Sequence, residues 1–125
     1  MKRIFWSIAD KNNLPYFEMM KNSFKKFHSN EELVLIGEEE IKATNDPHIF
    51  YRATPYFSSQ FFEKGYDCVI KLDADQIITG DLSHTWADDF DIGVVNNSNP
   101  REFKAYPISV LDIHPLAYVN CGFVV

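Results

Sequence analysis

The chain has 125 residues, 46% hydrophobic and 24% charged, a length and composition that suit one globular domain and are too small for a second full one. Its formal net charge is -6 and it carries no basic tract, so a phosphate backbone would meet repulsion over most of the surface and nucleic acid is a poor partner. The apolar runs fall far short of the roughly 20 residues that a membrane span needs, and a soluble, cytoplasmic protein is expected, at most peripheral to a membrane.

The opening MKRIFWSIAD is interrupted at Asp10 and Lys11 before a signal-peptide core is complete, and Ile4 to Ala9 reads instead as a buried strand delivering a polar loop. Leu14, Phe17, Met20, Phe24 and Phe27 then recur at helical spacing, with Pro15 tolerable in a first turn. Leu33 to Ile36 makes a second strand, closed by Gly37 and by an acidic run, Glu38 to Glu40, that reads as a solvated turn or helix start. The chain turns at Asn45-Asp46-Pro47, and Tyr56, Phe57, Ser59, Phe61 and Phe62 predict an aromatic-rich helix ending near Gly65.

Strands are expected over 67–72, 91–95 and 118–125, with a loop from Asn96 to Pro100. Alternating β and α elements predict an α/β domain with a mixed, mostly parallel sheet flanked by helices. Cys68 and Cys121 fall inside predicted strands, too few for a disulfide framework, and read as buried free thiols.

The segment Val69-Ile70-Lys71-Leu72-Asp73-Ala74-Asp75 sets two carboxylates one residue apart at the end of an apolar run. In an open α/β sheet, ligands gather beyond the carboxyl ends of strands, and alternation turns Asp73 and Asp75 to one side, with Ala74 leaving room for a ligand to approach. Two aligned carboxylates suit a hard divalent cation, Mg²⁺ or Mn²⁺, which can in turn bind a diphosphate. A calcium loop of the EF-hand type is excluded, because Ile78 stands where glycine is required and His84 where glutamate is. A haloacid-dehalogenase-like phosphatase also ends a strand in Asp-x-Asp, usually near the N-terminus and with Thr or Val where this chain has Ile77, and stays as an alternative.

The wider stretch from Leu72 to Leu82, including Gly80-Asp81-Leu82 and followed by Trp86, resembles the motif of glycosyltransferase family 8, the glycogenin and lipopolysaccharide galactosyl- and glucosyltransferase group. Three other places match in order: Ser7 to Asn12 resembles the loop that holds uridine, Tyr51-Arg52 a Tyr-Arg ahead of the metal motif, and Tyr118 to Gly122 the Phe-Asn-x-Gly strand. The resemblance implies a GT-A type nucleotide-diphospho-sugar transferase fold and transfer of a hexose from a UDP-sugar, with retention, to a saccharide or glycolipid acceptor. It also implies that Asp73 and Asp75 hold Mn²⁺ or Mg²⁺, that Ala9, Asp10, Asn12 and Ala74 line the nucleotide, that Arg52 lies over the phosphates, and that Asn120 faces the transferred sugar.

Lys11 and Asn13 depart from the Asp and Tyr usual in the uridine loop. Family members also continue past the Asn-x-Gly strand with acceptor residues and a third metal ligand, commonly histidine, whereas Gly122 to Val125 reads as a strand stopped in mid-course. The chain is therefore expected to be the donor-binding part, with residues 1–125 lacking the acceptor part. His28, His48, His84 and His114 all precede that point, and each is expected to be an ordinary structural or exposed histidine. A non-catalytic module that binds UDP-sugar and metal is the first alternative, and an exposed strand edge would let such a chain pair with itself as a homo-oligomer.

Overall fold

The computed structural model describes residues 1–86 together with the backbone of residues 94–96 and 119–124. The elements follow in the order β1 (Arg3–Ile8), α1 (Leu14–Lys25), β2 (Leu33–Ile36), α2 (Glu38–Ala43), α3 (Ile49–Glu63), β3 (Cys68–Leu72), a 3₁₀ turn (Ser83–Trp86), β4 (Val94–Asn96) and β5 (Val119–Val124). They form one sheet in the order β2-β1-β3-β5-β4. β1 pairs in parallel with β2, Phe5 opposite Leu33, and with β3, Trp6 opposite Lys71. β5 runs antiparallel to both β3 and β4. The protein is thus α/β, with three parallel strands flanked by helices.

Handedness explains the layering. The connection from β1 to β2 moves one way across the sheet and the connection from β2 to β3 moves back over β1. Right-handed crossovers must then put α1 and α3 on opposite faces. Alternation along β1 feeds both: Ile4 and Trp6 enter the core under α3, with Ala53, Phe57, Phe61 and Val69. Phe5 and Ala9 enter the core under α1, with Phe17, Met20, Phe24, Ile70 and Leu72.

α1 follows its predicted stripe, and Phe17, Met20 and Phe24 are buried while Leu14 and Phe27 stay exposed. α3 starts earlier than its aromatic run suggests, at Ile49, and carries Pro55 inside it. Ile49, Ala53, Phe57 and Phe61 recur every four residues and all are buried, and packing that stripe outweighs the backbone hydrogen bond that proline cannot donate. The acidic run does form a helix, α2. Its start is fixed by Glu40, whose Oε2 accepts the Gly37 N–H at 3.0 Å, while Glu38 pairs with Lys42 one turn on at 3.0 Å.

β2 and β4 are the edge strands of the sheet. β4 spans Val94–Asn96 and overlaps the strand expected over 91–95, whose residues 91–93 lie outside the described residues. Cys68 is a half-buried free thiol, and burial raises its pKa above the usual value, offset in part by nearby Arg3. Cys121 lies in β5, where side chains are outside the described residues. Among the described residues no helix is long and apolar enough to cross a membrane.

Candidate functional site at the carboxyl ends of the parallel strands

β1 and β3 are neighbours, so their parallel register brings their carboxyl exits side by side. From Ile8 the chain passes through Ala9 and Asp10 into α1, and from Leu72 it passes into Asp73, Ala74 and Asp75. α3 leads through a short turn into the start of β3 and runs against the strands, which sets its first turn, with Arg52, toward the same end of the sheet.

At the β1 exit, Ala9 has its methyl group in the core and donates its N–H to Ile36 O at 3.1 Å. Asp10 closes the loop upon itself, because Oδ1 accepts the Asn13 N–H at 2.9 Å and the Asn13 side-chain amide at 2.7 Å. Asn13, the residue before α1, makes no side-chain cap of its own, so Asp10 organises the start of the helix. Lys11 donates its N–H to Glu38 at 3.1 Å, which ties the loop to α2. That bond, with the Lys42 ammonium, holds the Glu38 carboxyl below the ordinary carboxylate range. Asn12 stands exposed on the loop.

The β3 exit is a tight turn. Gln76 donates its N–H to Asp73 O at 3.3 Å, and its side-chain Oε1 accepts the Asp73 N–H at 3.1 Å. The carboxylate of Asp73 is half-buried and ion-paired with the ammonium of Lys71, itself nearly buried. Ala74 packs partly against the α1-side core, and Asp75 projects into solvent without a hydrogen bond to any described residue. Sequence reasoning passed over Lys71 and Gln76, although a lysine inside an apolar run, two residues before an aspartate, is the signal that finds the first.

Beyond the turn, residues 76–82 are tied down on the end of α1. The buried Ser23 hydroxyl donates to Met20 O at 2.7 Å and accepts the Ile78 N–H at 2.9 Å. His28, buried and stacked on Phe24, accepts the Leu82 N–H on Nε2 at 3.1 Å, which requires the tautomer with its proton on Nδ1. It is a satisfied structural histidine, as expected of it. Asp81 caps the following 3₁₀ turn, accepting the Ser83 hydroxyl at 2.6 Å and N–H at 2.8 Å. Those bonds hold its carboxyl below the usual value. A hollow of about 430 Å³ runs along this segment, bounded by residues 76–82 and His84. Another, of about 330 Å³, lies between α2, α3 and β2, away from the carboxylates.

Arg52 extends into solvent with 66% of its side chain exposed and pairs with Asp46 at 3.2 Å. No hydrogen bond or ion pair joins it to Asp73 or Asp75. Asn120 is in β5, whose register sets Val124 opposite Lys71 and Phe123 opposite Leu72. Residues 119–122 therefore overhang the carboxyl end of β3, on the side of the Asp73–Asp75 turn, while the Asn120 side chain lies outside the described residues.

The donor set at the turn is a partial one, with one oxygen of Asp73 engaged by Lys71. Asp73 and Asp75 offer carboxylate oxygens from one turn, and no group of three His, Cys, Asp or Glu side chains able to hold a metal occurs among the described residues. Mg²⁺ and Mn²⁺ suit such a partial set, because Mg²⁺ in particular keeps several waters and takes one or two carboxylates plus substrate phosphates. No family model, no curated protein and no solved structure matches the chain.

Proposed function

We propose that the chain acts as a metal-dependent glycosyltransferase of GT-A type, which transfers a hexose from a UDP-sugar to a saccharide or glycolipid acceptor with retention. The observation that carries this reading is the Asp73–Asp75 turn, set at the carboxyl end of a buried parallel strand and beside the exit of β1. The motif resemblance supports it in four segments that follow one another in order.

In this reading Asp73 and Asp75 hold Mg²⁺ or Mn²⁺, which when bound supplies positive charge against a departing diphosphate. The chain's own residues do the positioning. The β1 loop, stiffened by Asp10 and Asn13, offers Asn12 and its backbone to the nucleoside, and Ala74 keeps the turn open to the ligand. Arg52 adds charge over the phosphates by leaving Asp46, an exposed ion pair worth only about 0–1 kcal/mol.

The test is calorimetric titration of UDP and UDP-sugars with Mn²⁺ and with a chelator, with free UDP and free phosphate followed in the same samples. Metal-dependent binding with UDP release is the expected outcome, and Asp75→Ala lowers the metal-dependent affinity by about tenfold or more. Binding without release reduces the reading to a UDP-sugar-binding module. Release of inorganic phosphate favours the phosphatase instead, and equal UDP affinity in the Asp73→Ala, Asp75→Ala double variant removes the metal site.

A further inference from the structure

Residues 76–82 are fastened to the end of α1 and the turn after it by two bonds of different chemistry. The Ser23 hydroxyl accepts the Ile78 N–H at 2.9 Å, and a hydroxyl keeps that capacity at any ordinary pH. Nε2 of His28 accepts the Leu82 N–H at 3.1 Å, and an imidazole can do so only while that nitrogen carries no proton. Imidazoles change charge between about pH 5 and 8. A proton on Nε2 would face the Leu82 N–H donor to donor, and the bond would be lost.

The surroundings offer the charged ring another partner. Asp81 Oδ1 lies 3.8 Å from Nε2, beyond hydrogen-bond range but within reach of a small shift. Its carboxyl, held below the usual value by the Ser83 bonds, is ionised throughout that pH window. Phe24, stacked at 4.9 Å, and Phe5, at 5.5 Å, present aromatic rings that tolerate a cation. The other charged groups nearby are committed. Arg3 of β1 lies over the Trp86 ring and pairs with Glu31 at 3.1 Å. Lys25 of α1 donates to Glu31 O at 2.7 Å. The Cys68 thiol of β3 is kept neutral by burial, and His84 of the 3₁₀ turn acts on Asp81.

We propose that His28 is a proton-operated latch on residues 79–82. When neutral it holds the Leu82 N–H, and when Nε2 takes a proton from solvent it exchanges that bond for an ion pair with Asp81. Ser23 keeps Ile78 in place, so the movement is confined to the residues beyond it. Thr79 and Asp81 are exposed, and a Cβ on Gly80 would meet nothing within 4 Å, which leaves the segment room to move. The same residues bound the hollow of about 430 Å³, so the proton reshapes one of its walls. The latch needs neither metal nor nucleotide and stands apart from the transferase reading.

The experiment is nuclear magnetic resonance on the isotope-labelled full chain between about pH 8 and 5. Ring nitrogen shifts give the tautomer and charge of His28, and amide exchange, corrected for its intrinsic pH dependence, gives the protection of Leu82 and Ile78. Wild type is expected to lose about tenfold in protection at Leu82 as His28 takes its proton, with Ile78 unchanged. His28→Gln, whose amide oxygen accepts at every pH, keeps Leu82 protected throughout. Asp81→Asn moves the transition to lower pH, because it removes the partner of the charged ring, and His84→Gln leaves it in place. Should His28→Gln fail to fold, the wild-type and Asp81→Asn titrations decide. Steady protection of Leu82 while His28 becomes charged, or a His28 that stays neutral down to about pH 5, overturns the latch. Equal loss at Leu82 and Ile78 overturns it too, because the whole segment would then be loosening.

Discussion

The loop leaving β1 and the turn leaving β3 start side by side at the same end of the sheet, and both begin with aspartate. Their carboxylates are spent differently. Asp10 satisfies its own loop, with Oδ1 accepting two bonds from Asn13. Asp73 is held from below by Lys71, and Asp75 is open to solvent. A carboxylate that closes a turn shapes the backbone around a ligand, whereas one left facing outward is available to the ligand itself. The first region is a frame and the second offers the charge.

What the two regions share is the core beneath them. Phe5 is fully buried in the cluster that includes Ala9 on one side and Leu72 and Ile78 on the other. Phe5→Ala is expected to destabilise the protein by about 3–5 kcal/mol, the range for deleting a buried aromatic ring. Chemical denaturation gives that figure directly. Loss of less than about 1 kcal/mol would mean that the two exits are supported separately.

The next largest effect separates them. His28→Ala removes the acceptor of the Leu82 N–H and leaves a part-buried donor unpaired, at about 1 kcal/mol. Amide exchange at Leu82 should accelerate while Asn13 stays protected. Equal acceleration at both sites would break the distinction.

Asp10→Ala is the reciprocal probe. It takes away the side chain that stands in for an N-cap of α1, so about 1 kcal/mol is expected to be lost, with most of it retained in Asp10→Asn. Here the exchange should rise at Asn13 and not at Leu82.

The smallest effect is one of pH. Asp81 is held below its ordinary value by the Ser83 hydroxyl and N–H, so its folded pKa is depressed. A depressed carboxyl contributes stability that is present above the unfolded value, near 3.9, and is lost as pH falls through the folded value. Because the group is exposed, the contribution is small. The unfolding midpoint of wild type relative to Asp81→Asn should decline as pH is lowered from about 6 to about 2, and a difference independent of pH would show that the Ser83 bonds do not depend on charge.

Much of the fold was legible in the residues. Apolar runs at Ile4–Ala9, Leu33–Ile36 and Asp67–Leu72 marked three strands, and the stripe through Phe17, Met20 and Phe24 marked α1. The start of α3 was hidden, because Pro55 and the turn at Asn45-Asp46-Pro47 signal a break, while the buried series Ile49, Ala53, Phe57 and Phe61 needs a sheet beneath it before it counts. The candidate site was legible only in part. Asp73 and Asp75 stand out from spacing, but nothing local tells that Asp10 is committed to Asn13, that Arg52 reaches Asp46, or that His28 holds Leu82 across 54 positions of sequence.

The division has a physical cause. Period and polarity are properties of neighbouring residues, so the sequence by itself determined the three parallel strands and α1, and that Asp73 and Asp75 leave a buried strand together. Strand order, the opposite placement of α1 and α3, and the partners of each charged group depend on contacts between distant segments. Those contacts form only when the chain is closed, and the tertiary structure alone decided that β3 lies beside β1 and that His28 holds Leu82.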